Sequence, residues 1–253
     1  MAIENIKNIN QINYDKMEEG FIKTDFGNMY FKHNESKDQH IKIIMIHGLG
    51  GTTKSFAKLI DNLPNDIDIY LIDLLGHGNS DKPKIKYSID IQVTALSQFI
   101  EKTKYSNFYL LGHSYGGFVA LKYLLNFGTE KIKALILEDS AGLKEVNEEA
   151  KNYKKNMLKK ALEFNNEKYV IESIMNQNNE LDDSDLQKLD LINIKCLILW
   201  GENDKIIDKS YGQALNKYIK GSDLEIIKNA EHVSHYSNAA EVKNLLLKFI
   251  NYK

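Results

Sequence analysis

The sequence predicts an α/β fold with a mostly parallel sheet flanked by helices. Five short apolar runs are nearly uninterrupted, which is typical of strands that are buried on both faces of a sheet. Helical patterns separate most of these runs, and an alternation of strands and helices favours right-handed crossovers between parallel strands. The five predicted strands are Ile41–Ile46, Ile67–Leu74, Phe108–Leu111, Ala134–Leu137 and Cys196–Trp200.

The segments around these strands complete the predicted fold. Gly20–His33 contains two short strand-like runs and predicts an antiparallel hairpin at the edge of the sheet. Thr53–Leu63 and Ser88–Glu101 carry apolar residues at helical spacing, and the second begins with serine, a residue type that caps helix N-termini. Ser222–Lys228 predicts a further strand, and Ala239–Ile250 predicts a closing amphipathic helix.

Residues 143–190 interrupt the alternation of strands and helices. The segment is rich in Lys, Glu and Asn and has no apolar strand run, so it predicts a small helical cap inserted into one core domain of residues 1–142 and 191–253. Two roles are open for its apolar face, namely packing against the sheet and covering the functional site as a lid, and one face can do both. The apolar residues that recur at helical intervals are Tyr153, Met157, Leu158, Leu162, Tyr169, Ile171 and Ile174.

The composition limits the classes of partner. The 33 basic and 35 acidic residues give a net charge of −2, which predicts no nucleic-acid partner. Every basic residue is lysine, so the chain has no bidentate arginine clamp for a carboxylate or phosphate of a substrate. No apolar stretch approaches the roughly 18 residues of a membrane span, and the first residues lack the apolar core of a signal peptide. We therefore expect a cytoplasmic protein that is a monomer or a homodimer.

The residue types that bind metals are sparse. Cys196 is the only cysteine, which excludes an intramolecular disulfide and a cysteine-based zinc site. No group of His, Asp and Glu has a spacing such as H-E-x-x-H. The sequence therefore predicts chemistry that uses neither a metal nor an organic cofactor.

The most informative motif is G-H-S-Y-G at residues 112–116, which matches the pattern G-x-S-x-G. It lies between the strand-like run that ends at Leu111 and a helix-like run at residues 118–125. A serine at such a tight strand-to-helix turn has a strained backbone and an exposed hydroxyl. The flanking glycines avoid collisions with neighbouring elements, and the N-terminus of the new helix favours negative charge beside the serine. This context predicts that Ser114 is a nucleophile.

A nucleophilic serine needs a base that takes its proton and a carboxylate that orients the base. Loops that follow the strands of a parallel sheet converge on one face, so the candidates must lie in such loops. His232 and His235 both lie in the loop after the last predicted strand. Asp204 follows one strand directly, and Asp139 follows the strand before it. The residues alone leave both pairs open, and we favour Asp204 over Asp139.

Acyl transfer also needs hydrogen-bond donors for a developing oxyanion. The amide of Tyr115, at the start of the helix after the serine, is one candidate. The second comes from the sequence H-G-L-G-G at residues 47–51, which follows a central strand and whose glycines let the backbone turn towards the site. A phosphate-binding glycine loop is the alternative for this segment, but neither common phosphate-loop pattern is matched.

From about residue 20 to the C-terminus, the ordered motifs resemble those of the α/β-hydrolase superfamily. The resemblance implies a sheet of seven to eight strands with the helical cap at residues 143–190. It also implies that Ser114 is the nucleophile, His232 the base and Asp204 the acid. The motifs that carry it are H-G-L-G-G at 47–51, D-L-L-G-H-G-N-S at 73–80, G-H-S-Y-G-G at 112–117, W-G-E-N-D at 200–204 and A-E-H at 230–232.

Two further implications of the resemblance concern the oxyanion and the base. Leu49 and Tyr115 would supply the amides of the oxyanion hole. Glu231 stands where the family often has a glycine before the base, which keeps His235 as the alternative to His232.

Serine at position 114 argues against the dehalogenases and epoxide hydrolases of this superfamily, which use aspartate there. The length and the short cap resemble small carboxylesterases, which implies hydrolysis of carboxylic esters of small, mainly uncharged substrates through an acyl-enzyme. One alternative is a cofactor-free hydrolase that cleaves a C–C bond of a β-diketone-like substrate. The other alternative is a non-catalytic ligand receptor on the same fold.

Overall fold

A computed structural model describes residues 11–36, 41–144 and 166–252 of this chain. Eight strands within these residues form one sheet in the order β1-β2-β4-β3-β5-β6-β7-β8. The strands are β1 (Glu18–Thr24), β2 (Gly27–Asn34), β3 (Lys42–Ile46), β4 (Asp68–Ile72), β5 (Phe108–His113), β6 (Ile132–Glu138), β7 (Lys195–Gly201) and β8 (Asp223–Ile227).

The sheet is mostly parallel, as the apolar runs predict. Strands β3 to β8 pair in parallel with their neighbours, whereas the hairpin of β1 and β2 joins one edge through antiparallel pairing of β2 with β4. Because β6 lies between β5 and β7, the loops that follow these three strands are neighbours at one edge. The predicted fold class is therefore confirmed, including the edge hairpin.

Helices cover both faces of the sheet. The structure has α1 (Ala57–Ile60), α2 (Ile89–Thr103), α3 (Tyr115–Phe127), α4 (Lys168–Met175), α5 (Asp183–Leu189), α6 (Ser210–Tyr218), α7 (Ser234–Ser237) and α8 (Ala239–Phe249). Among the helices of the described residues, none is long and apolar enough to cross a bilayer.

Two of these helices differ from the sequence expectation. The helix predicted over Thr53–Leu63 is split into a 3₁₀ turn at Thr53–Phe56 and the single turn of α1. Helix α6 was not predicted, although its buried residues Tyr211 and Leu215 have helical spacing. By contrast, the predicted cap of α2 is confirmed, because the side chain of Ser88 accepts a hydrogen bond from the amide of Ile91.

Alternate residues of each central strand enter opposite halves of the core. In β3, Ile44 and Ile46 pack with the cluster under α2 and α3, whereas Ile43 and Met45 pack with the cluster under α1 and α8. All four side chains are fully buried. Burial stabilises each such side chain by about 1.5–3 kcal/mol relative to exposure. The two clusters therefore hold the central strands, and with them the strand ends that carry the site.

The described part of the predicted cap packs on the core. Val170, Ile171 and Ile174 of α4 are fully buried, and Val170 and Ile174 belong to the cluster under α2 and α3. Tyr153, Met157, Leu158 and Leu162 lie outside the described residues. The division of the chain into a core domain and a cap at residues 143–190 stays a prediction.

Candidate active site

Ser114 lies at a sharp turn between β5 and α3. Its backbone angles are φ 52° and ψ −118°, in a region that non-glycine residues rarely adopt. Such a residue costs about 1–3 kcal/mol, which the surrounding structure must offset. Hydrogen bonds hold the turn, since the Ser114 amide donates to the carbonyl of Glu138 (2.9 Å) and the Ser114 carbonyl accepts from the amide of Ala141 (3.0 Å).

The glycines beside Ser114 are required by close backbone approach. A Cβ atom on Gly112 would lie 2.4 Å from the carbonyl oxygen of Gly116. A Cβ atom on Gly116 would lie 2.4 Å from the carbonyl oxygen of Ile46, at the end of β3. Any larger residue at either position would push α3 away from the sheet and move the serine.

The structure brings Ser114, His232 and Asp204 together. The Nε2 atom of His232 lies 2.9 Å from Oγ of Ser114, and its Nδ1 atom lies 2.8 Å from Oδ2 of Asp204. All three residues are buried. A carboxylate beside Nδ1 selects the tautomer that carries its proton there, which leaves Nε2 free to accept the serine proton.

The other oxygen of Asp204 is held by its own loop. Its Oδ1 atom accepts hydrogen bonds from the amides of Ile206 (2.7 Å) and Ile207 (3.0 Å). These bonds fix the carboxylate while Oδ2 faces the imidazole of His232. The loop after β7 therefore orients Asp204 before any substrate arrives.

Asp139 is close to this group but has a different environment. Its Oδ1 atom accepts a hydrogen bond from the amide of Gly201 (2.8 Å), and the side chain is fully buried. Burial, together with the nearby charges of Glu138 and Asp204, raises the pKa of the Asp139 carboxyl well above its usual range. A carboxyl whose pKa is raised resists ionisation, so Asp139 is a poorer partner than an ionised carboxylate for a histidine that must become positively charged.

His235, the alternative base, pairs with Glu138. Its Nδ1 atom lies 2.8 Å from Oε2 of Glu138, and both side chains are completely buried. Sequence reasoning did not assign a role to Glu138. The only feature of the sequence that marked Glu138 was its position as an acidic residue at the end of an apolar run. This position does not indicate that His235 is its partner.

The glycine loop at residues 47–51 lies against the nucleophile. A Cβ atom on Gly48 would lie 3.0 Å from Cβ of Ser114, so the backbone passes directly beside it. Leu49 follows in this loop, and Tyr115 is the first residue of α3, where amides have no partner within the helix. The structure thus places both predicted oxyanion segments next to Ser114.

Two buried histidines support the walls of the site in their neutral forms. His47 donates from Nδ1 to the carbonyl of Gly48 (2.7 Å) and accepts from the amide of Leu74 at Nε2 (3.0 Å). Burial lowers the pKa of His47. Burial, with repulsion from His47, also lowers the pKa of His77 to about 3. Both rings therefore remain neutral while they fix the loops after β3 and β4.

Among the described residues, one group of three side chains could hold a metal ion. One donor atom from each of His113, Asp139 and His232 lies within 4.8 Å of the others. However, His232 uses both ring nitrogens for Ser114 and Asp204, so a bound ion would have to displace one of these contacts. We therefore assign no metal to this group.

Residues 42–169 match the family model described as the alpha/beta hydrolase fold. The chain belongs to the α/β-hydrolase fold family. The match covers about half of the 253 residues and includes β3 to β6, and therefore the turn that carries Ser114.

Three individual proteins show how far the similarity extends. A 1-acylglycerol-3-phosphate O-acyltransferase of Arabidopsis thaliana is 35% identical over 113 residues, which are 43% of this chain and 27% of that protein. Lipase 3 of a Moraxella species is 37% identical over 102 residues, which are 40% of this chain and 32% of the lipase. The chain thus spans only about a third or less of these relatives. A solved esterase structure from Exiguobacterium antarcticum superposes with a TM-score of 0.78 at 22% identity, covering 91% of this chain and 98% of the esterase, which shows a shared fold.

Proposed function

We propose that this α/β-hydrolase is a serine hydrolase that cleaves carboxylic esters through an acyl-enzyme on Ser114. The observation that carries the proposal is the hydrogen-bonded series from Oγ of Ser114 through His232 to Asp204. Membership of the hydrolase family and the similarity to a lipase support the same class of reaction.

The first half of the reaction follows from this geometry. His232 takes the proton of Ser114 at Nε2 while Oγ attacks the ester carbonyl carbon, and the resulting imidazolium is stabilised by Asp204. The carbonyl electrons move to the oxygen, and the amides of Leu49 and Tyr115 donate hydrogen bonds to the resulting oxyanion. When the tetrahedral intermediate collapses, the C–O bond to the alcohol breaks, and the alcohol oxygen takes the proton from His232.

The second half reuses the same groups with water as the nucleophile. His232 accepts a proton from water while the water oxygen attacks the acyl carbon, and the same amides bind the new oxyanion. The bond to Oγ of Ser114 then breaks, and the proton returns from His232 to the serine. Each step balances without an oxidant, a reductant or a metal.

We further propose that the substrates are small and mainly uncharged. Two residues near Ser114 are apolar. Leu49 belongs to the glycine loop at residues 47–51, and the amide of Ala141 donates a hydrogen bond to the carbonyl of Ser114. The chain contains no arginine that would bind an anionic acyl end in a bidentate manner. Apolar walls with a few directed polar groups are typical of pockets for small, uncharged ligands.

Two measurements test the proposal. The first is covalent labelling of Ser114 by a fluorophosphonate probe, and the second is the hydrolysis of p-nitrophenyl esters from acetate to palmitate. We expect labelling and the highest catalytic efficiency with short to medium acyl chains. Ser114→Ala should abolish labelling and lower turnover by several orders of magnitude, whereas the matched Ser55→Ala, on the 3₁₀ turn before α1, should leave both unchanged.

The alternatives predict different results in the same experiments. Labelling without turnover of any ester in the series would point to C–C bond cleavage. If neither labelling nor turnover is seen with folded protein, the proposal is wrong and a ligand receptor is the better description.

A further inference from the structure

Glu138 occupies a central position that the proposed reaction does not use. It is the last residue of β6 and pairs with His113 of β5 on one side and with Leu199 of β7 on the other. Its carbonyl oxygen accepts the amide hydrogen of Ser114 (2.9 Å), and this bond holds the turn of the nucleophile. The main chain of Glu138 is therefore part of the support for Ser114.

The side chain of Glu138 holds the start of α7, directly after the proposed base His232. Its Oε1 atom accepts hydrogen bonds from the hydroxyl of Ser234 and from the amide of His235 (2.7 Å). Its Oε2 atom accepts from Nδ1 of His235 (2.8 Å). The partners lie 96 and 97 positions away along the chain, so these bonds connect two distant segments.

This contact lies wholly inside the protein. Glu138, Ser234 and His235 have exposures of 0%. Burial opposes the charge of the Glu138 carboxylate, but attraction to His235 and the hydrogen bonds outweigh it and lower the pKa to about 2. His113 also faces this group, with its ring centre 4.8 Å from that of His235, and Asp139 is the next residue along the chain. A buried carboxylate that loses its partners is costly, so the geometry of the contact is sharply defined.

We propose that Glu138 is a positioning residue that sets the distance between the base loop and the nucleophile. It binds Ser114 through its main chain and α7 through its side chain. The end of β6 therefore fixes both the serine that gives the proton and the loop that carries His232, which accepts it. This inference rests on the proposed function, because it concerns the placement of His232 against Ser114. Small displacements of reacting groups can cost about 100-fold in rate.

The test compares Glu138→Gln and Glu138→Ala with the natural protein. Glutamine keeps an acceptor for Ser234 and for the amide of His235 but loses the carboxylate opposite the ring, whereas alanine loses every side-chain contact. We expect kcat for p-nitrophenyl acetate to fall about 10-fold in Glu138→Gln and about 100-fold in Glu138→Ala, with KM within about 3-fold. The rate of fluorophosphonate labelling of Ser114 should fall in parallel, measured well below the melting temperature of each variant.

Asp185→Asn is the matched control. Asp185 is also a buried carboxylate, and its Oδ2 atom pairs with Lys122 (2.9 Å), but it lies on α5 outside the site. We expect this variant to have a lower melting temperature and an unchanged kcat. If Glu138→Ala likewise loses thermal stability but keeps its kcat and labelling rate, Glu138 is merely structural and the inference is wrong.

A readout that needs no turnover separates this inference from the proposed function. The proton between Nδ1 of His232 and Asp204 should give a strongly deshielded ¹H NMR signal in the natural protein. We expect Glu138→Gln to shift or broaden this signal and Asp185→Asn to leave it unchanged. An unchanged signal in Glu138→Gln would overturn the positioning role even if the protein hydrolyses no ester. Since glutamine is nearly isosteric, this arm remains available if the alanine variant does not fold.

Discussion

The Nε2 atom of His113 donates a hydrogen bond to the main-chain oxygen of His232, at a distance of 2.8 Å. The residue before the proposed nucleophile therefore holds the backbone of the proposed base. Burial, with repulsion from His235 and His232, lowers the pKa of His113 well below its usual range. His113 thus stays neutral and keeps the Nε2–H tautomer that the carbonyl requires.

Replacement of His113 by phenylalanine should therefore impair catalysis more than binding. His113→Phe keeps an aromatic ring but leaves the His232 carbonyl without its buried donor, which costs about 1–3 kcal/mol. We expect kcat for p-nitrophenyl acetate to fall by about 10-fold with little change in KM. Steady-state kinetics at several ester concentrations measure both parameters. Natural kcat in a folded His113→Phe protein would show that this bond does not support the base.

The two candidate acids should respond differently to the loss of charge. Asp204→Asn removes the carboxylate that orients His232, and the corresponding change in a serine protease costs about 10⁴-fold in kcat. Asp139→Asn should keep most activity, because an amide has the shape of the neutral carboxyl and its oxygen can still accept from the amide of Gly201. The measurement is kcat of the two variants side by side. A larger loss in Asp139→Asn would move the acid to the end of β6.

Replacement of Asp139 by asparagine should also change the stability of the protein. The raised pKa of Asp139 means that the folded state holds a proton which the unfolded chain releases above about pH 3.9. Folding is therefore penalised as the pH rises, and asparagine avoids this penalty. The free energy of unfolding of Asp139→Asn at pH 7 should equal or exceed that of the natural protein in urea titrations.

The strands of the sheet could be predicted well because each strand is specified by residues within its own short segment. A strand buried on both faces needs a nearly continuous apolar run, as in β3, β5 and β7, and such runs can be read without knowledge of their partners. The turn at Ser114 is similarly local, since the flanking glycines and the change from a strand pattern to a helical pattern lie within a few residues.

Contacts between distant segments could not be predicted in this way. Glu138 closes an apolar run just as a solvated residue in a loop would, and its partners Ser234 and His235 are almost 100 positions away. The choice between Asp204 and Asp139 also depends on three-dimensional surroundings, because the two residues follow adjacent strands and differ mainly in the groups that face them.

His77 should make the stability of the protein depend on pH. Its pKa of about 3 in the folded state lies below the value of about 6.5 for an unfolded chain, so the unfolded state binds an additional proton between these values. Stability that is fully present above pH 6.5 is therefore lost as the pH falls towards 3. His77→Asn should reduce the slope of unfolding free energy against pH by about 1.4 kcal/mol per unit between pH 4 and 6.

Denaturant titrations at several pH values measure this slope directly. The comparison tolerates a general loss of stability in His77→Asn, because the slope and not the absolute value is the observable. Equal slopes for the two proteins would mean that His77 takes up a proton in the folded state, which its buried position argues against.

Asn166, which lies within the predicted cap, connects it to the glycine loop at residues 47–51. Its Nδ2 atom donates to the carbonyl of Gly50 (2.8 Å), and its Oδ1 atom accepts from the amide of Gly78 (3.1 Å). Asn166→Ala would remove both bonds and loosen the loop that presents Leu49. Because loss of one oxyanion donor costs about 100-fold to 1,000-fold, a displaced donor should lower kcat by about 10-fold while KM changes little.

Asn34→Ala is the matched control for this change. Asn34 also links two segments through its side-chain amide, which donates to the carbonyl of Ile67 (2.7 Å), but it lies on β2 near the sheet edge. Its loss should lower the melting temperature and leave kcat unchanged, because no group of the site depends on it. If Asn166→Ala behaves like Asn34→Ala in both measurements, the asparagine stabilises the fold without positioning Leu49. A selective loss of kcat in Asn166→Ala would instead show that the predicted cap acts on the reaction through the glycine loop at residues 47–51.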